Sequence, residues 1–485
     1  MNTYIGIDLG TSSVKLLLVT ADGTIVKSAV KDYPIYYPQS GWSEQNPEDW
    51  LNATLQGMNE LLQGQDRSAV KGVSFGGQMH GLVVLDKNDA VIRPAILWND
   101  GRTETQTQYL NTVMGKKALS NYTANIAFAG FTAPKILWVR ENEPENFAKI
   151  DKMMLPKDYL AYKLTGVLST DYSDASGTLL LDVKNKRWSK ELCDFCGVET
   201  RWLPTLFESY QPIGKIRAQY GLPNAVAVAG AGDNAAAAIG TGTIENGACN
   251  ISLGTSGTVF IAQDEFSVDE HNALHSFAHA NGKHHLMGCI LSAASCNKWW
   301  LEDILQTNDY SAEQDGLDEL LGKNEVFFLP YLMGERSPHN DVNAKGCFIG
   351  LRPDTTRKQM TLAVMEGVAF ALRDCMEVAK KSGLQIDKAK ICGGGAKSRI
   401  WKKIVANVFG IPISTPVTEE GPAYGAAILA MVGANEHASV YDAAKRCVKE
   451  KDTVYTDAVL TERYERKYRY FQRLYPAVKA IFSDK

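Results

Sequence analysis

The chain has 485 residues, 45% of them hydrophobic and 22% charged, and this length exceeds what one hydrophobic core usually supports, so we expect two domains. The 51 basic and 55 acidic residues give a net charge of −4 without long runs of one sign, which argues against nucleic acid or a membrane surface as the partner and indicates a small molecule. The nine cysteines are scattered, and we see neither a secretory leader nor an apolar stretch of about 18 residues, so the sequence predicts a cytoplasmic protein without a membrane span.

The first predicted elements are strands separated by tight turns. Apolar residues 4–7 lead into the turn letters GTSS at 10–13, the strand pattern resumes over 14–20, and Asp22-Gly23 marks the next hairpin. A turn of glycine and hydroxyl residues exposes several backbone N–H groups at one point, which suits a phosphate. The competing interpretation is a tight hairpin that binds nothing.

A second candidate loop follows the next predicted strand, residues 70–75. Its letters GGQMHG, at 76–81, place Met79 and His80 where a loop would face a ligand. A single histidine in a loop is more often an ordinary surface residue, so this motif needs its context. Further along, Cys193 and Cys196 form a CxxC without a second pair nearby, which favours helix packing over a metal site.

The stretch AGAGDNAAAAIGTG, residues 229–242, places Asp233 at a glycine-rich turn between a predicted strand over 225–229 and an alanine-rich helix. Two interpretations of Asp233 stand side by side. The carboxylate is either a helix-terminal group stabilised by the helix dipole or a general base held in place by the glycines around it. The glycine-dense GTGTIENG at 240–247 predicts a domain boundary there.

The letters LGTS of the first turn return at 253–256, almost half the chain length away. There too a predicted strand, 248–253, enters the turn and another, 259–262, leaves it. The residue before the repeat is Asp8 in the first copy and Ser252 in the second. The repeat predicts a duplicated pair of α/β domains with the boundaries 1–245 and 246–485.

A third glycine cluster, GGGAKS at 393–398, follows a predicted strand over 390–392 and precedes a helical pattern over 400–408. Backbone without side chains would let an adenine or a ribose approach closely. Helical spacing also covers 361–381 and 423–431. Neither a GxxxxGK[ST] loop nor a GxGxxG after a strand occurs, which excludes a P-loop and leaves a Rossmann dinucleotide site unsupported.

Taken in order, IGIDLGTSSVK, GDNAAAAIGTG, SLGTSGT and GGGAKS resemble the nucleotide and catalytic elements of the FGGY carbohydrate kinases, over a span from Tyr4 to about Gly425. The segment GFTAPKILWVRE, 130–141, is similar to a signature of that family. The resemblance implies the duplicated actin/Hsp70/hexokinase-like fold, which is ribonuclease H-like in each half, with a central cleft that closes over the substrate. GQMHG is most similar to members that phosphorylate D-xylulose, as are four further motifs: WNDGR (98–102), LPKDYL (155–160), SAASC (292–296) and GERSPHN (334–340).

The resemblance also implies the roles of individual residues. ATP would phosphorylate the 5-hydroxyl of D-xylulose in the presence of Mg²⁺, with Asp233 accepting the hydroxyl proton and Asp8, together with Asp233, holding the metal. The first domain would contain the sugar pocket, the first phosphate turn and Asp233, and the second domain the second phosphate turn and the adenosine site. The implied sugar contacts are Met79, His80, Trp98 and Asn234. The implied ATP contacts are Gly10, Thr11, Ser12, Lys15, Gly254, Thr255, Ser256, Gly394, Gly395 and Ala396.

Two other functions remain open at this point. One is a kinase of the same family that acts on ribulose, gluconate or glycerol, although glycerol kinases are expected to carry charged residues in the loop at 78–80. The other is a nucleotide-gated binding or filament protein of the actin/Hsp70-like fold, in which Asp233 serves only structure. Sugar-dependent release of ADP separates these functions. The sequence leaves the oligomeric state open, with a homodimer as one option.

Overall fold

The computed structural model describes residues 1–483, which divide into two compact units. Unit 1 comprises residues 1–244, 276–285 and 420–449, and unit 2 comprises 245–275, 286–419 and the described residues from 450 onward. The first crossing between the units, at 244/245, lies one residue from the predicted boundary. The compact units are not two continuous halves of the chain, because the chain returns to unit 1 at 276–285 and at 420–449.

The elements have the following bounds. The strands are β1 Thr3–Leu9, β2 Ser13–Thr20, β3 Ile25–Asp32, β4 Glu44–Gln45, β5 Val70–Gly77, β6 Val83–Leu85, β7 Ala95–Ile96, β8 Lys152–Met154, β9 Ser169–Asp171, β10 Leu181–Asp182, β11 Arg187–Trp188, β12 Thr205–Phe207, β13 Pro212–Lys215, β14 Val226–Gly232, β15 Cys249–Leu253, β16 Gly257–Gln263, β17 His275–Ala278, β18 His284–Ile290, β19 Phe327–Leu329, β20 Cys347–Ile349, β21 Ala389–Cys392, β22 Ile413–Pro416 and β23 Glu450–Val454. The α-helices are α1 Pro47–Leu61, α2 Glu104–Tyr109, α3 Lys116–Thr123, α4 Thr132–Asn142, α5 Pro144–Phe147, α6 Pro156–Thr165, α7 Tyr172–Ala175, α8 Lys190–Cys196, α9 Asp233–Gly240, α10 Ala294–Lys298, α11 Tyr310–Gln314, α12 Arg357–Lys381, α13 Arg399–Phe409, α14 Gly421–Gly433, α15 Val440–Cys447 and α16 Ala458–Ser483. Within residues 1–483, none of the helices is long and apolar enough to cross a bilayer.

The main sheet of unit 1 has six strands in the order β13-β14-β5-β1-β2-β3. The meander predicted for the first thirty residues is confirmed, since β1 pairs antiparallel with β2 and β2 with β3. Strand β5 runs parallel to β1 on one side and to β14 on the other, with Leu9 and Gly232 both opposite Gly77. The carboxyl ends of these three parallel strands therefore lie at one edge of the sheet, which is where α/β folds place their ligand sites.

Helix α14 explains why residues 420–449 return to unit 1. Every residue from Ala423 to Gly433 is buried, as expected for a helix that is apolar on all sides. A Cβ added to Gly6 of β1 would lie 1.9 Å from the carbonyl oxygen of Ala423, and one added to Gly425 would lie 1.8 Å from that of Ala236 in α9. Glycines at these two points let the α14 backbone rest directly on the sheet and on α9.

Unit 2 is built around a sheet in the order β17-β18-β16-β15-β21-β22-β23, in which the hairpin tip 276–285 between the first two strands groups with unit 1. The predicted second hairpin is confirmed, since β15 pairs antiparallel with β16, and β15 also runs parallel to β21. The long helix α12 begins with a capping box formed by Thr356 and Gln359 and buries its central residues. It shares one hydrophobic core with the apolar side of α16.

The cysteine pair of the CxxC motif lies in α8, and both side chains are fully buried. Burial raises the pKa of Cys193 and of Cys196 to about 12, so both thiols stay protonated at neutral pH. The helix-packing prediction for these two residues is confirmed.

Candidate active site

Asp8 lies near the carboxyl end of β1, with Lys15 of β2 opposite it in the register. Its Oδ1 is buried and has no hydrogen-bond partner within residues 1–483. The pKa of the Asp8 carboxyl is raised to about 7, first by burial and then by the negative charges of Asp233 and Glu420, with the Lys15 ammonium opposing. Lys15 itself makes an ion pair of 2.6 Å with Glu420. A buried carboxylate without a donor is available for a cation.

Asp233 is the first residue of α9, directly after β14. The predicted strand and helix are confirmed, but the strand continues to Gly232 and no separate turn lies between them. The Asp233 Oδ1 accepts hydrogen bonds from the backbone N–H of Asn234 at 2.6 Å and from the Asn234 side-chain amide at 2.8 Å. Burial raises the pKa of Asp233 to about 6, against the lowering effect of both bonds from Asn234. The carboxylate thus sits at the helix start and also has the pKa that suits a general base near neutral pH.

The first LGTS turn is held by side chains from outside it. Gln45 donates its amide to the carbonyl oxygen of Thr11 at 2.7 Å, and the indole N–H of Trp98 donates to Thr11 Oγ1 at 3.0 Å. Within the turn, the Gly10 N–H bonds the carbonyl oxygen of Ser13 at 3.0 Å. Trp98, which we predicted to be a sugar contact, is therefore bound to the first LGTS turn and keeps 42% of its surface exposed.

His80 has a left-handed backbone, with φ of 71°, in the loop after β5. Its Nδ1 lies 2.7 Å from the carbonyl oxygen of Gly177, and its ring stacks on Phe131 at 4.6 Å between centroids. A carbonyl oxygen only accepts, so Nδ1 carries the proton and Nε2 of the neutral ring is an acceptor. The His80 carbonyl oxygen accepts from Thr132 at 3.0 Å and from the buried ammonium of Lys135 at 2.9 Å, both on α4.

Met79 joins this loop to the start of α9. It is 5% exposed, and its Cγ would lie only 2.9 Å from a Cβ added at Gly232. Its Cε would lie 3.1 Å from a Cβ added at Gly177. The two glycines leave the space that the Met79 side chain fills, so Met79 packs beside the residue that precedes Asp233. Gln78 fixes the loop from the other side, since its N–H bonds the carbonyl oxygen of Leu9 at 2.8 Å.

These contacts show which predicted residues of unit 1 come together. Asp8 and Asp233 are close enough for the charge of one to raise the pKa of the other, and Met79 packs against the turn that carries Asp233. Mg²⁺ prefers oxygen ligands, among them the carboxylates of aspartate and glutamate. The unpartnered, buried Oδ1 of Asp8 and the repulsion between the partly buried carboxylates of Asp8 and Asp233 fit a divalent cation at this edge of the sheet.

In unit 2 the second LGTS turn and the GGGAKS cluster line one pocket of about 1330 Å³. Gly393 has φ of 91°, and a Cβ there would lie 2.8 Å from the backbone of Leu253, so the cluster packs directly on the strand that enters the turn. A Cβ added at Gly395 would lie 2.6 Å from the Leu253 side chain, so this glycine also packs closely on Leu253. The predicted ATP contacts that line this pocket are Gly254, Thr255, Gly394 and Gly395. Ser256 and Ala396 are not among the described lining residues, and Ala396 is buried.

The SAASC segment donates hydrogen bonds to backbone carbonyl groups of the second LGTS turn. The N–H of Ala293 bonds the carbonyl oxygen of Thr255 at 2.9 Å, and the N–H of Ala294 bonds that of Gly254 at 2.8 Å. The hydroxyl of Ser295 adds a bond of 2.7 Å to the Thr255 oxygen. These contacts fix the orientation of the peptide groups that face the pocket.

Comparison with known proteins assigns the family. The model of the N-terminal domain of the FGGY family of carbohydrate kinases matches residues 3–240, and the model of its C-terminal domain matches residues 249–434. The chain belongs to the FGGY family of carbohydrate kinases. It therefore uses ATP as the phosphoryl donor that a kinase of this family requires, and its two units have the α/β, actin- and hexokinase-like fold that the sequence predicted.

Individual FGGY proteins resemble the chain over almost its whole length. A xylulose kinase of Klebsiella pneumoniae is 41% identical and covers 91% of this chain and 91% of its own length. A xylulose kinase of Escherichia coli (strain K12) is 38% identical and covers 99% of this chain and all of its own length. The crystal structure of a xyloylose kinase from Brucella ovis matches with a TM-score of 0.94 and 38% identity, over 99% of this chain and 100% of that one.

Several site residues of this FGGY kinase were missed from the sequence. Gln45, Phe131 and Gly177 hold the turn and the loop of unit 1 through long-range contacts. Phe131 lies in the signature-like segment 130–141, but that similarity did not indicate its contact with His80. In unit 2 the pocket is also lined by residues between 309 and 318, in and around α11, and this segment contains no motif that indicates a nucleotide site.

Proposed function

We propose that this kinase transfers the γ-phosphoryl group of ATP to the 5-hydroxyl of D-xylulose, and that Mg²⁺ takes part. The observation that carries the proposal is the carboxylate of Asp233, whose pKa is raised to about 6 by burial. The preceding residue, Gly232, packs against Met79, which lies in the same loop as His80. Relatives that are xylulose kinases by name, at 41% and 38% identity over 91% and 99% of the chain, support the choice of sugar.

Asp233 is the general base in this proposal. Asn234 occupies its Oδ1 with two hydrogen bonds, while Oδ2 has no protein donor within residues 1–483. Oδ2 is thus the atom that accepts the proton of the sugar hydroxyl as the hydroxyl oxygen attacks the γ-phosphorus in line. A pKa of about 6 keeps Asp233 mostly ionised at neutral pH and still basic enough to take that proton. In this account Asn234 positions the base, and its contact with the sugar remains a prediction.

The loop at 78–80 is the proposed sugar site. Its residues Gln78, Met79 and His80 bring no formal charge, which suits a neutral ketose. The Nε2 of His80 would accept a hydrogen bond from a sugar hydroxyl, because Gly177 already fixes the proton on Nδ1. Met79 would form an apolar wall next to the base, and Trp98 would reach the sugar from the phosphate turn.

Asp8, with Asp233, is the proposed holder of Mg²⁺. When bound, the ion neutralises charge on the phosphates and so lowers the barrier to transfer. The backbone N–H groups of the turn at 10–12 and the side chain of Lys15 would contact the phosphate chain in unit 1. In unit 2 the turn at 254–256 and the glycines at 394–396 would bind the nucleotide within the pocket of about 1330 Å³.

A coupled assay of ADP release over a panel of ketoses and polyols tests this function. We expect the largest kcat/KM with D-xylulose, and a higher value with ribulose, gluconate or glycerol would reject that choice of sugar. Asp233→Ala should lower kcat by about 10² to 10⁴, the usual contribution of a general base, and leave ATP affinity within about threefold. An Asp233→Ala enzyme with near-normal turnover would show that another group removes the proton.

A further inference from the structure

The LPKDYL motif contributes a fully buried lysine to unit 1. Lys157 Nζ lies 2.6 Å from Asp158, 2.9 Å from Asp171 and 3.6 Å from Asp174, and all four side chains are at most 2% exposed. Burial works against the charge of Lys157, but the three carboxylates outweigh it and raise the pKa of the ammonium. The cluster is costly to assemble, because buried charges lose their hydration, and a residue set of this kind needs a reason.

An ion pair followed by hydrogen bonds leads from this cluster to the backbone in front of Asp233. Asp171 Oδ1 is paired with Lys157, and Asp171 Oδ2 accepts from the N–H of Ser173 at 2.8 Å and from its hydroxyl at 2.5 Å. Ser173 Oγ in turn accepts from the N–H of Gly232 at 3.2 Å. The chain Lys157–Asp171–Ser173–Gly232 therefore ends one residue before the proposed base.

Gly232 is the residue whose backbone this chain of contacts restrains. As the residue before α9 it has a backbone without side-chain restraint, and the Met79 side chain occupies the space that a Cβ would need. The Gly232 N–H belongs to the peptide between Ala231 and Gly232, and from this peptide the backbone of Gly232 leads to Asp233. Ser173 Oγ accepts from that N–H. Asp171 holds Ser173 in turn, since its Oδ2 accepts from the Ser173 backbone N–H and from the Ser173 hydroxyl.

We propose that Ser173 is a positioning residue for phosphoryl transfer, held by the Lys157–Asp171 ion pair and acting on Asp233 through the N–H of Gly232. The inference rests on the proposed role of Asp233 as the base. Loss of the Ser173 hydroxyl leaves Gly232 without its acceptor and lets the Asp233 carboxylate move relative to the sugar hydroxyl. A shift of about 1 Å in such a group can cost on the order of 10² in rate.

Ser173→Ala tests the proposal in the full-length enzyme. We expect kcat to fall about tenfold or more while the KM for sugar and the KM for ATP stay within about threefold, since neither binding surface contains Ser173. The ratio of ADP formed to sugar phosphate formed should rise above its wild-type value. A misaligned base slows attack by the sugar hydroxyl, whereas hydrolysis of ATP by water, which gives ADP and phosphate, does not depend on that alignment.

Three further variants make the test specific. Ser173→Thr keeps a hydroxyl and should retain most of the wild-type kcat. Ser173→Cys keeps the volume of the side chain but offers only a weak acceptor, so it should behave like Ser173→Ala. The cysteine variant replaces the alanine variant in the test if the alanine variant does not fold. Ser209→Ala is the matched control. Ser209 donates to the same Oδ2 of Asp171 at 2.7 Å but does not contact the Gly232 N–H, so its kcat and product ratio should stay within about threefold of wild type.

Rates are divided by the folded fraction measured by circular dichroism. Wild-type kcat and product ratio in Ser173→Ala or Ser173→Cys would overturn the proposal, and so would equal losses in Ser209→Ala. If the wild-type enzyme prefers a sugar other than D-xylulose, the proposed substrate is wrong, and the same comparison made with the preferred sugar still decides the role of Ser173. Normal turnover by the Asp233→Ala enzyme would show that Asp233 is not the base, and Ser173 would then have no base to position.

Discussion

At the scale of single residues, His80 and Asp8 show how fixed neighbours set the chemistry of a side chain. The Gly177 carbonyl oxygen accepts a hydrogen bond from Nδ1 of His80, and Phe131 stacks on the ring, so the tautomer of the neutral ring is set by its neighbours. Asp8 has a buried oxygen without a donor, and its pKa is raised to about 7 by burial and then by the negative charge of Asp233. Both residues are defined by what surrounds them more than by their own type.

His80→Ala should raise the KM for the sugar about three- to tenfold, the range expected for one neutral hydrogen bond, and leave the KM for ATP unchanged. The measurement is steady-state ADP release with each substrate varied in turn. His437→Ala is the matched control, because His437 also bonds a backbone carbonyl, that of Ala21, at 2.9 Å, but lies in another part of unit 1. An effect of His80→Ala confined to ATP would contradict the sugar site.

Asp8→Asn keeps the shape of the side chain and removes its charge. We expect kcat to fall on the order of 10² and the Mg²⁺ concentration for half-maximal rate to rise, because the amide is a poorer ligand for a hard cation. A Mg²⁺ titration of ADP release measures both effects. Asp22→Asn, in the next hairpin of the same meander, should change neither, and an unaltered Mg²⁺ dependence in Asp8→Asn would place the metal elsewhere.

At the scale of elements, helix α14 is what holds α9 in place. The close approach at Gly425, 1.8 Å from an added Cβ to the carbonyl oxygen of Ala236, leaves no room for a methyl group between the two helices. The same helix contains Gly421, where an added Cβ would meet Ala237 at an ordinary 3.5 Å. The pair offers a test in which one methyl group is added to one helix at two positions.

Gly425→Ala should destabilise the protein by about 3 kcal/mol, the upper end of the usual cost of over-packing, and should also lower kcat because α9 carries Asp233. Gly421→Ala should change stability by less than about 1 kcal/mol. Urea unfolding monitored by circular dichroism gives both values. Equal stabilities of the two variants would mean that the helices can separate without cost.

At the scale of the whole molecule, the order of segments along the chain is not the order of the units. Residues 420–449 belong to unit 1, but most of the residues of unit 2 precede them in the sequence. Helix α14 alone buries five large apolar side chains, each worth about 1.5–3 kcal/mol, against a typical domain stability of about 5–15 kcal/mol. These side chains are Tyr424, Ile428, Leu429, Met431 and Val432.

A fragment of residues 1–244 should therefore show no cooperative thermal transition by circular dichroism, because removal of α14 exposes the faces of β1, β5 and α9 that it covers. The same fragment with residues 420–449 attached through a flexible glycine–serine linker should regain a transition. If 1–244 alone unfolds as cooperatively as the linked form, then α14 is dispensable for the folding of unit 1.

Much of the fold could be predicted because its signals are short-range. The two hairpins follow from apolar runs interrupted by GTSS and GTSG, and the helix after Asp233 follows from glycines that precede a run of alanines. Strands β5, β14 and β21 and helices α12 and α14 were also predicted from periodicity, and the structure confirms them. In each case the residues that determine the element are adjacent in the sequence.

The packing partners could not be predicted, because sequence spacing does not encode them. Nothing in the letters shows that Met79 fills the space beside Gly177 and Gly232, or that Lys157 meets Asp171 and Asp174. The predicted domains followed chain order and placed 420–449 in the second domain, whereas these residues group with unit 1. Glycines of unit 1 let the α14 backbone approach closely, and the spacing of residues in the sequence does not reveal such a contact.

The amino-acid sequence by itself determined the family, the strand–turn–strand repeats and the residues that carry the proposed chemistry, since turn geometry and the preferences of glycine, serine and carboxylates act over a few residues. Only the tertiary structure decided which nitrogen of His80 faces the Gly177 carbonyl, which oxygen of Asp233 bonds Asn234, and that Ser173 bonds the N–H of Gly232. These properties depend on burial and on donors from distant segments, and both arise only when the chain has folded.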